Sequence, residues 1–232
     1  MKNVKAMKKL LVVILILSAS VMLHAQEKEE RSLSNFDEIQ VSQGIDAYLQ
    51  KGTKESVVVE VRGISLDEVL TEVYGGRLKV HIARNRWRDY SVVVHVTYVN
   101  LKEISASSAA NVVGKNVIKA DRLLLDASSA ADIEVTVEVN DLSIDASSSG
   151  DIEVSGKANY LNVDVSSGSG ADAYDLEAQE VRVDASSGAE AKVYAIKEID
   201  AEASSGASVR YRGNPMKSRT DTSSGGSVRK TN

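Results

Sequence analysis

A pair of adjacent serines recurs through the second half of the chain, starting at Ser107, Ser128, Ser147, Ser166, Ser186, Ser204 and Ser223. Successive pairs lie 21, 19, 19, 20, 18 and 19 residues apart. The residue two before each pair is Ser105, then Asp126, Asp145, Asp164, Asp184, Glu202 and Asp221. A steady period near twenty residues marks a repeat architecture, in which one short unit stacks on the next because it cannot bury its apolar face alone.

The copy LSIDASSSGDIEV shows what each unit can build. Leu142, Ile144 and Ala146 alternate with polar residues, so they line one face of a strand. Ser148, Ser149 and Gly150 break the strand, since glycine accepts positive φ and serine bonds its own backbone. Asp151 to Val154 then alternate again. Each repeat reads as strand, tight Ser/Gly turn, strand and a looser turn such as residues 155–160. Stacked in register, the copies form an inward column Leu123, Leu142, Leu161, Val181 and Ile199. A second column is Ile133, Ile152, Ala171, Ala191 and Ala207 or a neighbour. Ala127, Ala146, Ala185 and Ala203 imply a narrow interior. No apolar period of 3.6 appears, and Ser, Asp and β-branched residues are poor in helix interiors. The expected fold is all-β: a parallel β-helix, or β-solenoid, right-handed by the usual preference of crossovers. It has irregular N-terminal rungs and about seven regular Ser-Ser rungs. Aromatic residues make up only 4% of the chain, which suits stacked aliphatic rungs better than a bulky sandwich core.

Residues 1–25 read as a secretory signal peptide. Lys2, Lys5, Lys8 and Lys9 precede the apolar run 10–17, and Leu23-His24-Ala25 is a cleavage site. The run is too short for a membrane span, which takes roughly 18 or more apolar residues. Cleavage takes the net charge from −5 to −9, which argues against a nucleic-acid partner. Membrane contact is expected only through the signal peptide. The chain has no Cys, so disulfides and a lipidated N-terminal Cys are excluded. Residues 26–34 read as a flexible charged leader, and 35–232 as a single solenoid, irregular over 35–100 and regular over 101–232. Within the irregular half, strands are expected at 36–41, 45–50, 57–62, 69–74, 77–82 and 91–96. Gly75-Gly76 signals a hairpin. Ser65 and Glu68 have capping-box spacing for one helical turn.

The opening FDEIQVSQGIDAYLQKG, the GGRLKV strand and the repeated DASSxG and DIEV units resemble the head GIN domain family over about residues 33–229. Its members are head domains of auto-transporter adhesin type, exported by Gram-negative bacteria. The resemblance implies a β-helix-like fold outside the cytoplasm and an adhesive role. Structures of the family are similar to other solenoids and carry labels such as lipid-binding or pectinase-like. The family supplies no catalytic residues to carry over. The chain stops at Asn232 without a long region for an outer-membrane barrel, so self-transport is not expected.

The side chains name few reactive constellations. His24 leaves with the signal peptide, and His81 and His95 sit on different expected strands without ligand spacing. No G-x-S-x-G elbow occurs, and no His follows His95. Acid pairs such as Asp151 and Glu153 have the residue types for glycoside hydrolysis, but the acids repeat uniformly and none is singled out. No catalytic or cofactor-binding residues and no metal ligands are expected. The loop ARNRWRD, residues 83–89, breaks the repeat and carries the only Trp. Trp87 with Arg84, Arg86 and Arg88 is a candidate ligand contact, since Trp and Arg are enriched in recognition sites; the alternative is a Trp that caps the solenoid end.

Charge divides along the axis. From Asp121 to Glu202 there are 19 acids and 5 basic residues; from Arg210 to Asn232 there are 6 basic residues and one acid. In register, Asp126, Asp145, Asp164, Asp184, Glu202 and Asp221 form an outward structural file about 4.8 Å apart. Their repulsion needs an offset. Hydrogen bonds from turn serines and amides are favoured over a bound Ca²⁺, the one cofactor for which the file has suitable oxygens. The expected function is a non-catalytic, exported cell-envelope or surface protein, an adhesin-like module that binds a glycan or a surface protein. The alternatives are a solenoid-type polysaccharide-active enzyme, and a structural or lipid-binding envelope protein. The location is the periplasm, the outer surface or the medium. The sequence does not give the oligomeric state.

Overall fold

The computed structural model describes residues 27–83 and 89–231. The signal-peptide reading and the loop with Arg84, Arg86, Trp87 and Arg88 lie outside the described residues. The fold is a β-solenoid of about seven turns, 70% strand, with no α-helix among the described residues.

The short strands of the N-terminal half are β1 (Glu27–Ser32), β2 (Glu38–Ser42), β3 (Asp46–Lys51), β4 (Ser56–Arg62), β5 (Val69–Tyr74), β6 (Arg77–Ile82), β7 (Ser91–Tyr98), β8 (Glu103–Ser107) and β9 (Asn111–Gly114). Then come β10 (Ile118–Ser128), β11 (Asp132–Ser147), β12 (Asp151–Val165), β13 (Gly170–Ala185) and β14 (Glu190–Ala203). Three short strands finish the stack: β15 (Ser208–Arg212), β16 (Lys217–Thr222) and β17 (Ser227–Lys230).

Each coil from β11 to β14 is one long strand, and the separate looser turn expected at 155–160 does not form. Parallel pairing carries on past those residues, with one irregularity between Glu153 and Gly156. The bend comes instead from the side-chain pattern. Ala158 and Leu161 are buried, while Asn159 and Tyr160 between them both face out. Two consecutive outward residues turn an alternating strand through a corner without ending it. Backbone pairing skips Asn140 and Asn159 there, and their side chains pair instead, Asn159 Nδ2 donating to Asn140 Oδ1 at 2.8 Å.

The serine turns explain the repeat. In each, the first Ser carbonyl accepts the N–H three residues on, for example Ser147 from Gly150 at 2.9 Å and Ser186 from Ala189 at 3.1 Å. Both central residues have positive φ: 50° and 62° at Ser148 and Ser149, 53° and 75° at Ser187 and Gly188. This is a type I′ turn, whose twist matches the flanking strands. The turns also bond to each other. Ala109, Ala130, Ser149, Gly168, Gly188 and Gly206 each donate their N–H to the second turn residue of the next rung. The stack is therefore hydrogen-bonded at its turns as well as along its strands.

The first inward column, Leu123–Leu142–Leu161–Val181–Ile199, is in direct register and buried throughout. The second ends at Val209 and not at Ala207, because Ala191 pairs with Val209. Burying one such side chain fully is worth roughly 1.5–3 kcal/mol.

The N-terminal half departs from chain order. Between β6 and β8 lies β2, with Val41 opposite Val80 and Ala106. Between β7 and β9 lies β3. The first rung is thus inserted between later ones, and Ser42-Gln43-Gly44 takes the place of a serine turn, with Gln43 at φ 65°. Arg77 pins this order: its Nε donates to Glu38 at 2.8 Å and its Nη2 to Glu103 at 2.9 Å, spanning β6, β2 and β8. The expected flexible leader is corrected as well. Residues 27–32 are strand β1, paired antiparallel with β4 from Glu27 opposite Val61 to Ser32 opposite Ser56. Its charged sequence hid it, because an outermost strand exposes both faces. Arg31 ties it to the neighbouring end strand, donating to the carbonyls of Val69 at 2.6 Å and Leu66 at 3.0 Å. Leu66–Glu68 is one 3₁₀ turn after Ser65, but Ser65 makes no side-chain cap. Gly75-Gly76 closes the β5–β6 hairpin, as its dipeptide indicates.

Candidate functional site

The interior is filled by inward side chains, so recognition falls to the outer surface. Four parts of that surface carry polar or charged groups at defined register.

The acid file forms along the edge beside the turns. Asp126 pairs with Asp145, then Asp164, Asp184, Glu202 and Asp221 in unbroken register. Ser105 continues it upstream, and its hydroxyl donates to Asp126 at 3.1 Å. Arg182 donates to Asp184 at 3.2 Å. Among the described residues, no turn serine hydroxyl bonds to the file, contrary to expectation. The turn amides are already used, closing each turn and reaching the next. Burial pushes the Asp145 carboxyl above the ordinary Asp range, and the charges of Asp164 and Asp126 push it the same way. Among the described residues, no cluster of three or more His, Cys, Asp or Glu has metal-holding geometry.

A second acidic strip follows the turns. Asp132 pairs with Asp151, and Glu134 with Glu153 and then Asp172. They line a shallow cleft of about 350 Å³. Burial raises the Asp151 carboxyl, Asp132 raises it further, and a hydrogen bond from the Gly170 amide lowers it. A Cβ at Gly170 would sit 2.3 Å from Asp151 Oδ1, so a side chain there would make the carboxylate move. Lys192 Nζ closes the strip at 2.8 Å from Asp172 Oδ2.

The corner at Tyr160 is the part that sequence reasoning passed over. Tyr160 lies between Asp141 and Glu180 in the ladder and is 49% exposed. The clue was available in Ala158-Asn159-Tyr160-Leu161, where apolar alternation slips by one residue.

The basic residues of the last rungs meet acids of earlier coils. Lys217 reaches Glu198 at 3.0 Å, Arg219 reaches Asp200 at 3.7 Å and Arg212 reaches Asp175 at 3.1 Å. Arg212 also lies over the rings of Tyr194 and Tyr174, at 4.7 and 5.7 Å from the centroids.

The two described histidines do not come together. His81 is on β6 and 4.0 Å from Glu72; burial, with the Lys79 charge, lowers its pKa. His95 is on β7, stacked on Tyr48 with centroids 5.4 Å apart and 3.8 Å from Glu60. The candidate contacts Arg84, Arg86, Trp87 and Arg88 lie outside the described residues.

The same architecture occurs in solved structures. An adhesin-type protein of Bacteroides fragilis superposes with a TM-score of 0.80 at 17% identity, over 89% of this chain and 97% of that one. A protein of Parabacteroides distasonis described as lipid binding gives 0.69 at 22%, over 90% and 98%. An adhesin-type protein of Parabacteroides merdae gives 0.65 at 17%, over 90% and 98%. These likenesses establish the fold. No functionally curated protein matches the chain. The family model described as "Putative auto-transporter adhesin, head GIN domain" matches residues 35–215. A match over that much of the sequence establishes membership: the chain belongs to the head GIN domain family.

Proposed function

We propose that the chain is an exported, non-catalytic, adhesin-like module of the cell envelope or surface that binds its ligand through its outer faces. One observation carries the reading: a head GIN domain whose interior is packed and whose chemistry is repeated along outward files. Repeated side chains on a rigid stack suit an extended ligand, as the surfaces of other solenoids do. The adhesin descriptions of the family and of two solved neighbours support a surface role. Protease treatment of intact producing cells, followed by fractionation, tests it. Loss of the chain from intact cells is the expected result. A chain that stays protected and fractionates with cytoplasmic markers overturns the reading; protection with release by osmotic shock keeps export and overturns adhesion.

A polysaccharide-active enzyme is the second reading, and the raised carboxyl of Asp151 within an acidic cleft is the observation that favours it. Bond cleavage in a polyuronide or neutral polysaccharide, lost in Asp151→Asn, decides for the enzyme.

A further inference from the structure

We propose that the corner at Tyr160 is a binding site for neutral glycans. This rests on the adhesin-like reading above and gives it a location and a ligand class. Tyr160 is an exposed aromatic in a chain with little aromatic content. Most other described tyrosines have structural partners, and Tyr74, 90% exposed, stands at the tip of the β5–β6 hairpin. Tyr98 is buried, Tyr48 stacks on His95, Tyr90 donates to the Gln43 carbonyl, and Tyr174 and Tyr194 hold Arg212. Tyr160 has no hydrogen bond, ring contact or cation over its ring among the described residues. Half of its surface meets water with no structural return, which is how an unoccupied recognition platform looks.

Its surroundings select the ligand. The ring lines one cleft, and a second is lined by its neighbour Asn159. One, of about 300 Å³, is lined by Tyr160, Asn162, Glu180 and Arg182. The other, of about 460 Å³, carries Asn140, Asn159, Gln179, Lys157 and Glu138. Planar amides and carboxylates beside an aromatic face suit a pyranose. The ring stacks on the sugar's C–H face while the polar groups take its hydroxyls in pairs. Glu180 is directly opposite Tyr160 in the ladder and Asn162 is two residues along the strand. Neither has a side-chain hydrogen bond or ion pair among the described residues, so both are available to a ligand.

Charge excludes acidic glycans. Arg122 holds Asp141 at 3.4 Å, Lys217 holds Glu198 and Arg182 is taken by Asp184. Glu180 has no ion pair of its own and feels only the longer-range charge of Lys217, so the corner offers no spare cation to a uronate or sulfate. The rung spacing of about 4.8 Å is close to the length of one sugar unit in an extended chain, so adjacent rungs can meet adjacent sugars. A protein partner fits less well, because one aromatic ring without exposed aliphatic neighbours lacks the apolar centre of a protein interface.

The test is binding of the full chain to an array of neutral hexose and N-acetylhexosamine oligosaccharides with polygalacturonate as acidic control, then calorimetry on any glycan retained. At least one neutral glycan is expected to bind. Tyr160→Ala is expected to weaken it by about tenfold or more, and Tyr160→Phe to restore it. Tyr160 is exposed, so an unchanged melting midpoint in Tyr160→Ala shows that any loss is not unfolding. Binding that is equal in Tyr160→Ala overturns the site while leaving glycan adhesion in place. Preference for polygalacturonate, or no binding to any neutral glycan, overturns the ligand class and leaves surface display to the protease experiment.

Discussion

The serine turns make a quantitative prediction about stability. Every turn needs two consecutive residues with positive φ, yet the rungs fill the second place differently. It is Ala109, Ala130 and Ser149 in three rungs, at φ 60°, 59° and 62°, and Gly168, Gly188, Gly206 and Gly225 in later ones. A left-handed conformation costs an L-residue roughly 1–2 kcal/mol, and glycine avoids this. Glycine's greater freedom in the unfolded chain returns about 0.4–1 kcal/mol of that difference. The net gain expected for Ala130→Gly is therefore about 0.5–1 kcal/mol. Ala130 is exposed, so no buried surface is lost. The reverse change has a clean counterpart. A Cβ on Gly188 or Gly206 meets no atom within 4 Å, so Gly188→Ala isolates the backbone cost. Solenoid stability is close to a sum over repeats, so Ala109→Gly, Ala130→Gly and Ser149→Gly together are expected to gain about 2 kcal/mol. For a chain of this size each kcal/mol moves the midpoint by about 2–4 °C. Thermal and guanidinium melts followed by circular dichroism measure this. If Ala130→Gly lowers the midpoint while Gly188→Ala leaves it unchanged, the left-handed backbone is not what governs residue choice here, and the argument fails.

Three other substitutions probe the stack. Gly156→Ala, at φ 113° with its Cβ 2.0 Å from the Val137 carbonyl oxygen, is expected to cost about 3 kcal/mol or more and to appear as a large midpoint loss or insoluble chain. Ser169→Ala removes a buried hydroxyl that donates to the Ala146 carbonyl at 2.8 Å and accepts the Ser166 amide at 3.1 Å, so a loss of about 1–3 kcal/mol is expected in a denaturant melt. Asp145→Asn is expected to stabilise the fold at pH 7 by about 1 kcal/mol or less, the size of one unit-charge repulsion at ladder spacing in water, and so to raise the midpoint. The folded Asp145 carboxyl holds its proton more tightly than in the unfolded chain, so its contribution favours folding most below the ordinary Asp range. That contribution is lost as pH rises from there through the raised value. The advantage of Asp145→Asn should therefore vanish in melts near pH 3, and an equal gain at both pH values rules out ionisation as its cause.

The repeat made the regular half legible because its information is local. Leu142, Ile144 and Ala146 declare their face within five residues, and the next copy declares its register by repeating them. The N-terminal half lacked both aids. Nothing in residues 38–51 tells that their partners are β6 and β7 on one side and β8 and β9 on the other, because that order is fixed by long-range pairing and by Arg77. β1 is silent in the sequence for a related reason: Glu27, Glu29 and Glu30 are outward on an end strand, where alternation has no buried face to report. Two outward residues in a row read as a loop in the sequence, whereas a corner of a continuous coil uses the same pattern.

The same distinction separates structural from recognising residues on the surface. A side chain that recurs at one register position in every rung is explained by stacking, and the acid file is of that kind. A side chain that interrupts its file needs another reason. Along Arg122, Asp141, Tyr160, Glu180, Glu198 and Lys217, the charged residues at each end pair across rungs, Arg122 with Asp141 and Lys217 with Glu198. A Lys or Arg in place of Tyr160 would meet the Glu180 carboxylate and extend this pairing to the middle of the file. The chain instead has a ring there, without a structural partner among the described residues and beside a carboxylate that feels only the longer-range charge of Lys217. Pairing would stabilise the corner by a few tenths of a kcal/mol, and a site that must accept a sugar face gives up that gain.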